Sequence, residues 1–424
     1  MKLETIPTAK LDRARALLSG IARHRKVSPT TPTDGLYYEL VSEYLENIVQ
    51  ARELGKKIAA HSVLVPPELF VALDMVPMHL EMVCTLAMIV LKEQEEFLAQ
   101  AKAYGLAPEV CSTHRAIAAA FTQGWAPSPD IVVWNNQVCD NTVKSNELVV
   151  ERCLSQAYYM DVPYRFDERG AHFLAAELEE LATRLEGVAG KRLDRDRLLE
   201  VLAYSRRMME LAREVHQLRM AVPCPSPNQL GSQLLYIGWY LAGTPQGVRF
   251  FETARDELKA RVEAGRGIVP QENYRLLSLF IPPGIHWKLL RWLERQHGAV
   301  FVAEPYCTHW GEFDWDDAQP FLTLARRSFA HPVSREMHGP VGEGVIQDAV
   351  DDARAARAEG ALYWAHIGCR QACAVIRPTK DALVDRVGVP LLVLDIDLND
   401  PTFVTEEELK EKLEGFLETL SERK

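Results

Sequence analysis

Three cysteines stand out among the residues able to do chemistry. Cys111 lies in EVCSTHRA, Cys139 in VWNNQVCDN and Cys369 in YWAHIGCRQAC. Each falls in a loop that leaves a predicted strand or enters a predicted helix, and each has a cation a few residues away: Arg115, Lys144 and Arg370. A helix N-terminus and nearby positive charge both favour a thiolate. Three thiolates on loops converging between two α/β domains can hold an iron–sulfur cluster. The separations of 28 and 230 residues include no compact ferredoxin-type run, so two rivals stay open. Cytosolic cysteines are mostly small buried hydrophobes, which is the reading for Cys84 and Cys153. Zinc is the other, since Cys307-Thr-His309 and His366-Ile-Gly-Cys369 mix suitable ligand types, although the paired C-x₂₋₄-C knuckle of a structural zinc site is missing. Cys369 and Cys373 are one helical turn apart.

Composition narrows the class. The 424 residues are 47% hydrophobic and 25% charged, ordinary globular values for about two to four domains. Lys and Arg total 48 against 59 acids, a net charge of -11, the opposite of the bias of a phosphate-tracking nucleic-acid binder. The longest apolar stretch, Met82 to Leu91, is about half of the roughly 20 residues a membrane span needs. Glu4 and Asp12 break any signal-peptide pattern. A cytoplasmic protein that binds neither nucleic acid nor membrane is expected, with its eight cysteines outside disulfides.

The elements that must position these cysteines are α/β in texture. From Glu39 to Ala60 apolar residues recur on one helical face, giving a helical N-terminal element over 1–60. SVLVPPELFVALDMVPMHLEMV reads as a short strand, a helix opened by prolines and another apolar strand. IVVWNN is a continuous apolar run of the kind found in parallel sheets covered on both faces. A first α/β domain is expected over 61–160 and a helical insertion over 161–225. A second α/β domain over 226–424 holds four strands at RLLSLFIPPG, AVFVAEP, ALYWAHIGC and PLLVLDIDLND. Ligands of open parallel sheets bind beyond the carboxyl ends of the strands, where most of the polar and cysteine residues cluster. Thr405 and Glu408 form a capping-box pattern before the last helix. There is no P-loop, no G-x-G-x-x-G fingerprint, no G-x-S-x-G and no H-E-x-x-H, so any requirement for ATP falls to a partner.

At its cysteines the sequence resembles the 2-hydroxyacyl-CoA dehydratase and benzoyl-CoA reductase subunit family, from about Val63 to Leu417. The ordered blocks are VPPELFVALDMVP, CSTHRA…GWAPSPDIVVWNNQVCDNTVK, HIGCRQAC and GVPLLVLDIDLNDP. The resemblance implies two Rossmann-like parallel-sheet domains with a [4Fe–4S] cluster in the crevice between them, held by Cys111 and Cys139 from the first and Cys369 from the second. One iron is then left open to the thioester carbonyl of a CoA substrate. It also implies a homologous sister subunit and a separate ATP-hydrolysing iron–sulfur activator that delivers a strongly reducing electron and produces a ketyl-type radical anion. Glu68, in VPPEL, matches the family's early P-x-E block and is the candidate proton donor or acceptor. The alternative for Glu68 is a helix N-terminal acid stabilised by the macrodipole. His309 and His366 are secondary relay candidates, and Trp134, Trp310 and Trp364 are candidates for lining a dry cavity. The long helix-bearing stretch between VPPEL and Cys111, with the PSPDIVVWNNQVCD block, points to the aromatic reductase branch. A dehydratase subunit is the alternative. A homodimeric double-cubane-cluster protein drawing on Cys307, Cys373 and Cys224 is a second.

Overall fold

In a computed structural model of the chain, the structure describes residues 9–27, 31–338 and 343–424. The first two helices, Ala9–Val27 and Pro32–Gln50, pack on each other. The second begins with Pro32 in its first turn, and the Thr31 hydroxyl accepts from the Asp34 amide at 3.1 Å. The prolyl ring supplies the helical φ and the hydroxyl satisfies an otherwise orphan amide.

Two compact units follow from the contacts. The first comprises residues 1–209, 236–250 and 312–330, and the second 210–235, 251–311 and 331–424. Residues 1–60 lie in the first unit, whereas the expected helical insertion, 161–225, is divided between the two.

The first unit carries strands β1 (Ile58–His61), β2 (Val76–His79), β3 (Ile131–Asn135) and β4 (Gln156–Met160) in the order β2-β1-β3-β4, all parallel. The second carries β5 (Tyr274–Leu279), β6 (Ala299–Ala303), β7 (Gly360–His366) and β8 (Leu391–Ile396) in the order β6-β5-β7-β8, again all parallel. The two-domain α/β expectation is met, and the four strands read near the C-terminus are the four strands of the second sheet. Two details differ. The strand placed at Ser62–Val65 is a turn, because pairing with β2 and β3 runs through Ile58–His61 instead. β4, at QAYYM, is an extra edge strand, half exposed and without the apolar run that marks a buried one.

β1, β3, β6 and β7 are buried along their whole length, as expected for sheets with helices on both faces. In the first unit Leu69, Phe70, Ile131 and Val133 join Leu174, Leu178, Leu181 and Leu185 of helix Glu168–Ala189 in one apolar core. In the second, Trp364 is fully buried, meets Phe301 edge-on and donates its indole N–H to Ser278 Oγ at 3.1 Å. It is a core residue of that sheet.

Candidate functional site

Strand order reverses between β1 and β3 in one unit and between β5 and β7 in the other, the switch points where open α/β sheets bind ligands. The chain leaves three of these four strands through a left-handed non-glycine residue: Leu64 at φ 65°, Val138 at 74° and Phe280 at 64°. Val138 matters most. A β-branched residue at positive φ is a real outlier, and here the Cys139 amide also bonds back to the Gln137 carbonyl at 2.9 Å, closing a γ-turn of the rarer positive-φ kind. Asn135 braces the turn: its Oδ1 accepts from the Gln137 amide at 2.9 Å, and its Nδ2 donates to the Val63 carbonyl at 3.4 Å. Strain of this kind, held by its surroundings, is concentrated at functional sites.

What the turn presents is Cys139, the N-cap of helix Asp140–Cys153. Cys111 is the N-cap of helix Ser112–Thr122, which packs on the first. Both cysteines therefore sit at a helix N-terminus. Burial by itself would raise the Cys139 thiol, as would the nearby Cys111. His114 reverses the outcome and brings it below the ordinary cysteine value. The His114 ring holds Nε2 3.2 Å from Cys139 Sγ and Nδ1 2.8 Å from Ser145 Oγ. For His114 the burial penalty is overcome by Cys139, Cys111 and Glu81, and its pKa rises to about 10. Cys139 with its charged donor His114, and Cys111 beside it, make a donor set suited to a cluster of iron and sulfide. His114 was not singled out in the sequence, although the Cys111-Ser-Thr-His114 spacing, one helical turn, was the available signal.

Beside this pair, His61 and His79 are directly paired in register at the carboxyl ends of β1 and β2, with ring centroids 5.0 Å apart. His79 lies 3.3 Å from Glu81 and packs on Trp239. Burial, with His79 close by, drives the His61 pKa down to about 3, leaving it neutral.

Cys369 is the N-cap of the short helix Arg370–Ala374 in the second unit, three residues beyond the end of β7. It holds the same place in that unit's strand order as Cys139 holds in the first. Cys373 follows it by one turn, its amide bonded to the Cys369 carbonyl at 3.1 Å and its thiol 3.4 Å from the His366 carbonyl. Cys224 and Cys307 are buried thiols, Cys224 pushed up to about 11 by burial and Cys307 well above its ordinary value by burial and the Glu304 carboxylate. Cys84 is buried and raised in the same way, and Cys153 ends its helix half-buried.

Glu68 opens the helix Glu68–Ala72 and is completely buried. Ser205 Oγ donates to its Oε1 at 2.6 Å, and Arg327 Nη2 reaches Oε1 at 2.8 Å and Oε2 at 2.9 Å. Gly243, at φ 76°, makes room: a Cβ there would stand 3.1 Å from Glu68 Cγ and 2.5 Å from Val201 Cγ1. Arg327 lies 259 positions away, beyond reach of any local pattern. The remaining relay candidates are also placed. His366 ends β7 with Nδ1 4.0 Å from Asp397, and His309 sits with Asp352 and His216 rather than with Cys307. Trp134 meets Tyr159 and Trp310 meets His331, both edge-on.

Among the described residues no helix is long and apolar enough to cross a membrane. The chain is 23% identical over 414 residues to a benzoyl-CoA reductase subunit of Thauera aromatica, covering 91% of this chain and 94% of that one. It is 20% identical to the (R)-2-hydroxyisocaproyl-CoA dehydratase alpha subunit of Clostridioides difficile, covering 91% and 95%. To the alpha subunit of (R)-2-hydroxyglutaryl-CoA dehydratase of Acidaminococcus fermentans it is 21% identical, covering 71% and 62%. A model of one protein family matches residues 62–420, almost the whole chain. The chain belongs to the family described as 2-hydroxyglutaryl-CoA dehydratase, D-component.

Proposed function

We propose that the chain is an iron–sulfur subunit of a low-potential, ATP-driven enzyme acting on the thioester of an aromatic acyl-CoA, with Cys111, Cys139 and Cys369 as ligands of a [4Fe–4S] cluster. The observation that carries this reading is the Cys111–Cys139–His114 group: two helix N-cap thiols and a charged imidazole, at the switch point of a parallel sheet, in a chain of this family. When bound, such a cluster supplies a single electron at low potential, and three cysteines for four irons leave one iron open to substrate.

The chain's own residues have separate tasks. The strained Val138 turn and its Asn135 brace fix the direction of Cys139. His114 neutralises part of the thiolate charge and donates to sulfur, one of the interactions that set cluster potential. The buried β1 and β3 ends exclude water. Glu68 enters this reading as an anchor, because both of its oxygens are taken by Arg327 and Ser205; proton transfer from it requires that pair to open.

Partners follow from the same reading: a CoA-thioester substrate, a sister subunit and an activator that hydrolyses ATP. The aromatic branch is favoured by the 23% identity to a benzoyl-CoA reductase subunit over 91% of the chain. With sister subunit and activator added, turnover of benzoyl-CoA is expected. Turnover of a 2-hydroxyacyl-CoA alone would make the chain a dehydratase subunit. The ligand assignment is tested by iron content: Cys139→Ser and Cys369→Ser each lose cluster iron while Cys153→Ser keeps it. Full iron in either of the first two overturns the assignment.

A further inference from the structure

The second unit gathers two histidines and an aspartate whose ligand atoms face one another. His216 comes from helix Arg195–Arg219, His309 follows the short helix Pro305–Thr308 beyond β6, and Asp352 comes from helix Glu343–Ala355. His216 Nε2 lies 3.1 Å, and His309 Nδ1 2.9 Å, from the same Asp352 oxygen, Oδ1. Ligands about 2.0–2.1 Å from a divalent transition-metal ion stand roughly 3.0–3.4 Å apart at octahedral and tetrahedral angles, so the spacing suits a shared ion.

The group leaves one buried carboxylate oxygen without a partner. Thr308 Oγ1 lies 2.9 Å from His216 Nδ1 and 3.1 Å from the Glu304 carbonyl. The other oxygen of Asp352, Oδ2, is buried with no hydrogen-bond partner.

Further acidic side chains crowd the group. Asp348 and Glu336 are buried alongside, and burial together with the Asp348 and Asp352 carboxylates pushes Glu336 well above the usual carboxylate range. Arg335 is committed to Asp348, gripping it through Nε at 2.9 Å and through Nη2. The outer partners resemble those that metal-binding histidines keep: Thr308 on His216, and Asp348 3.5 Å from His309 Nε2. His216 and His309 are 12% and 24% exposed, which leaves access for the ion and for water.

We propose that His216, His309 and Asp352 bind one divalent first-row transition-metal ion, in a site separate from the cysteine-held group. It would tie together three elements of the second unit. The test uses the full chain, purified anaerobically, with Co²⁺ alone as the probe. One Co²⁺ per chain is expected to give visible d–d absorption without thiolate charge transfer, and affinity should fall by more than about tenfold in His309→Gln and Asp352→Asn. In parallel, Zn²⁺ should raise the melting temperature of the unaltered chain but not of these variants; His216→Gln stands in for any variant that does not unfold cooperatively. A chain that takes up no Co²⁺ outside thiolate sites overturns the proposal and makes the group an imidazolium–carboxylate pair. Binding unchanged in the variants overturns it equally.

Discussion

Glu68, fully buried, is held by Arg327 at 2.8–2.9 Å, and the arginine is itself nine-tenths buried. Removing one member of a buried pair leaves the other charge uncompensated and costs about 3–5 kcal/mol, whereas replacing both with apolar groups is often neutral. The carboxylate's anchoring role therefore makes a specific prediction. Glu68→Gln keeps its cluster iron but loses stability in denaturant titrations, and Arg327→Met added to it restores both stability and turnover. Turnover that stays lost in the stable double variant would return Glu68 to proton transfer. Cys139 and His114 are a second, largely buried pair, and theirs is coupled to a strained turn.

That turn belongs to the scale of elements. An L-residue in the left-handed region costs roughly 1–2 kcal/mol, and Asn135 is the side chain that bridges the turn to the segment after β1. Asn135→Ala removes two buried hydrogen bonds, worth about 1–3 kcal/mol where partners are left unsatisfied. We expect it to lower iron content part of the way with an unchanged far-UV spectrum; full iron would show that the brace is not needed.

The opposite end of the same strands offers a pH test. Asp130 accepts from the Ile58 amide and from Arg52 at 2.8 Å each, tying the start of β3 to the start of β1. Burial would raise its pKa, but Arg52, the Ile58 amide and Lys57 outweigh it and hold the carboxyl below its ordinary value. A carboxyl depressed on folding contributes stability that is complete above its unfolded pKa of about 3.9 and is lost as pH falls through the folded value. The unaltered chain should therefore exceed Asp130→Asn in stability at neutral pH, with the gap closing below about pH 4. A gap independent of pH would contradict the ion pair.

What the sequence revealed divides along the same lines. β3, β6 and β7 were legible because a strand buried on both faces is a continuous apolar run, and the Thr405–Glu408 capping box because its pattern is local. β4 was hidden because an edge strand is half exposed, and β1 was misplaced because pairing, not hydropathy, fixed where it ends. The partners of Glu68 and His216 lie 92 to 259 positions away along the chain, and no local pattern encodes them.

In the molecule as a whole, one strand order is used twice, β2-β1-β3-β4 and β6-β5-β7-β8, and a cysteine N-cap follows the third strand in each unit. Cys111 is added on the helix before β3. In a chain whose match to its family covers residues 62–420, the cluster proposed on these thiols is the point on which the mechanism turns. Iron and acid-labile sulfide per chain, measured on anaerobically purified protein, address it without intermediaries. Sulfide is the decisive number, because an ion held by His216, His309 and Asp352 brings none. About four iron and about four sulfide are expected for one cluster. About eight of each would require the double-cubane alternative, and iron or zinc without sulfide would contradict the cluster altogether.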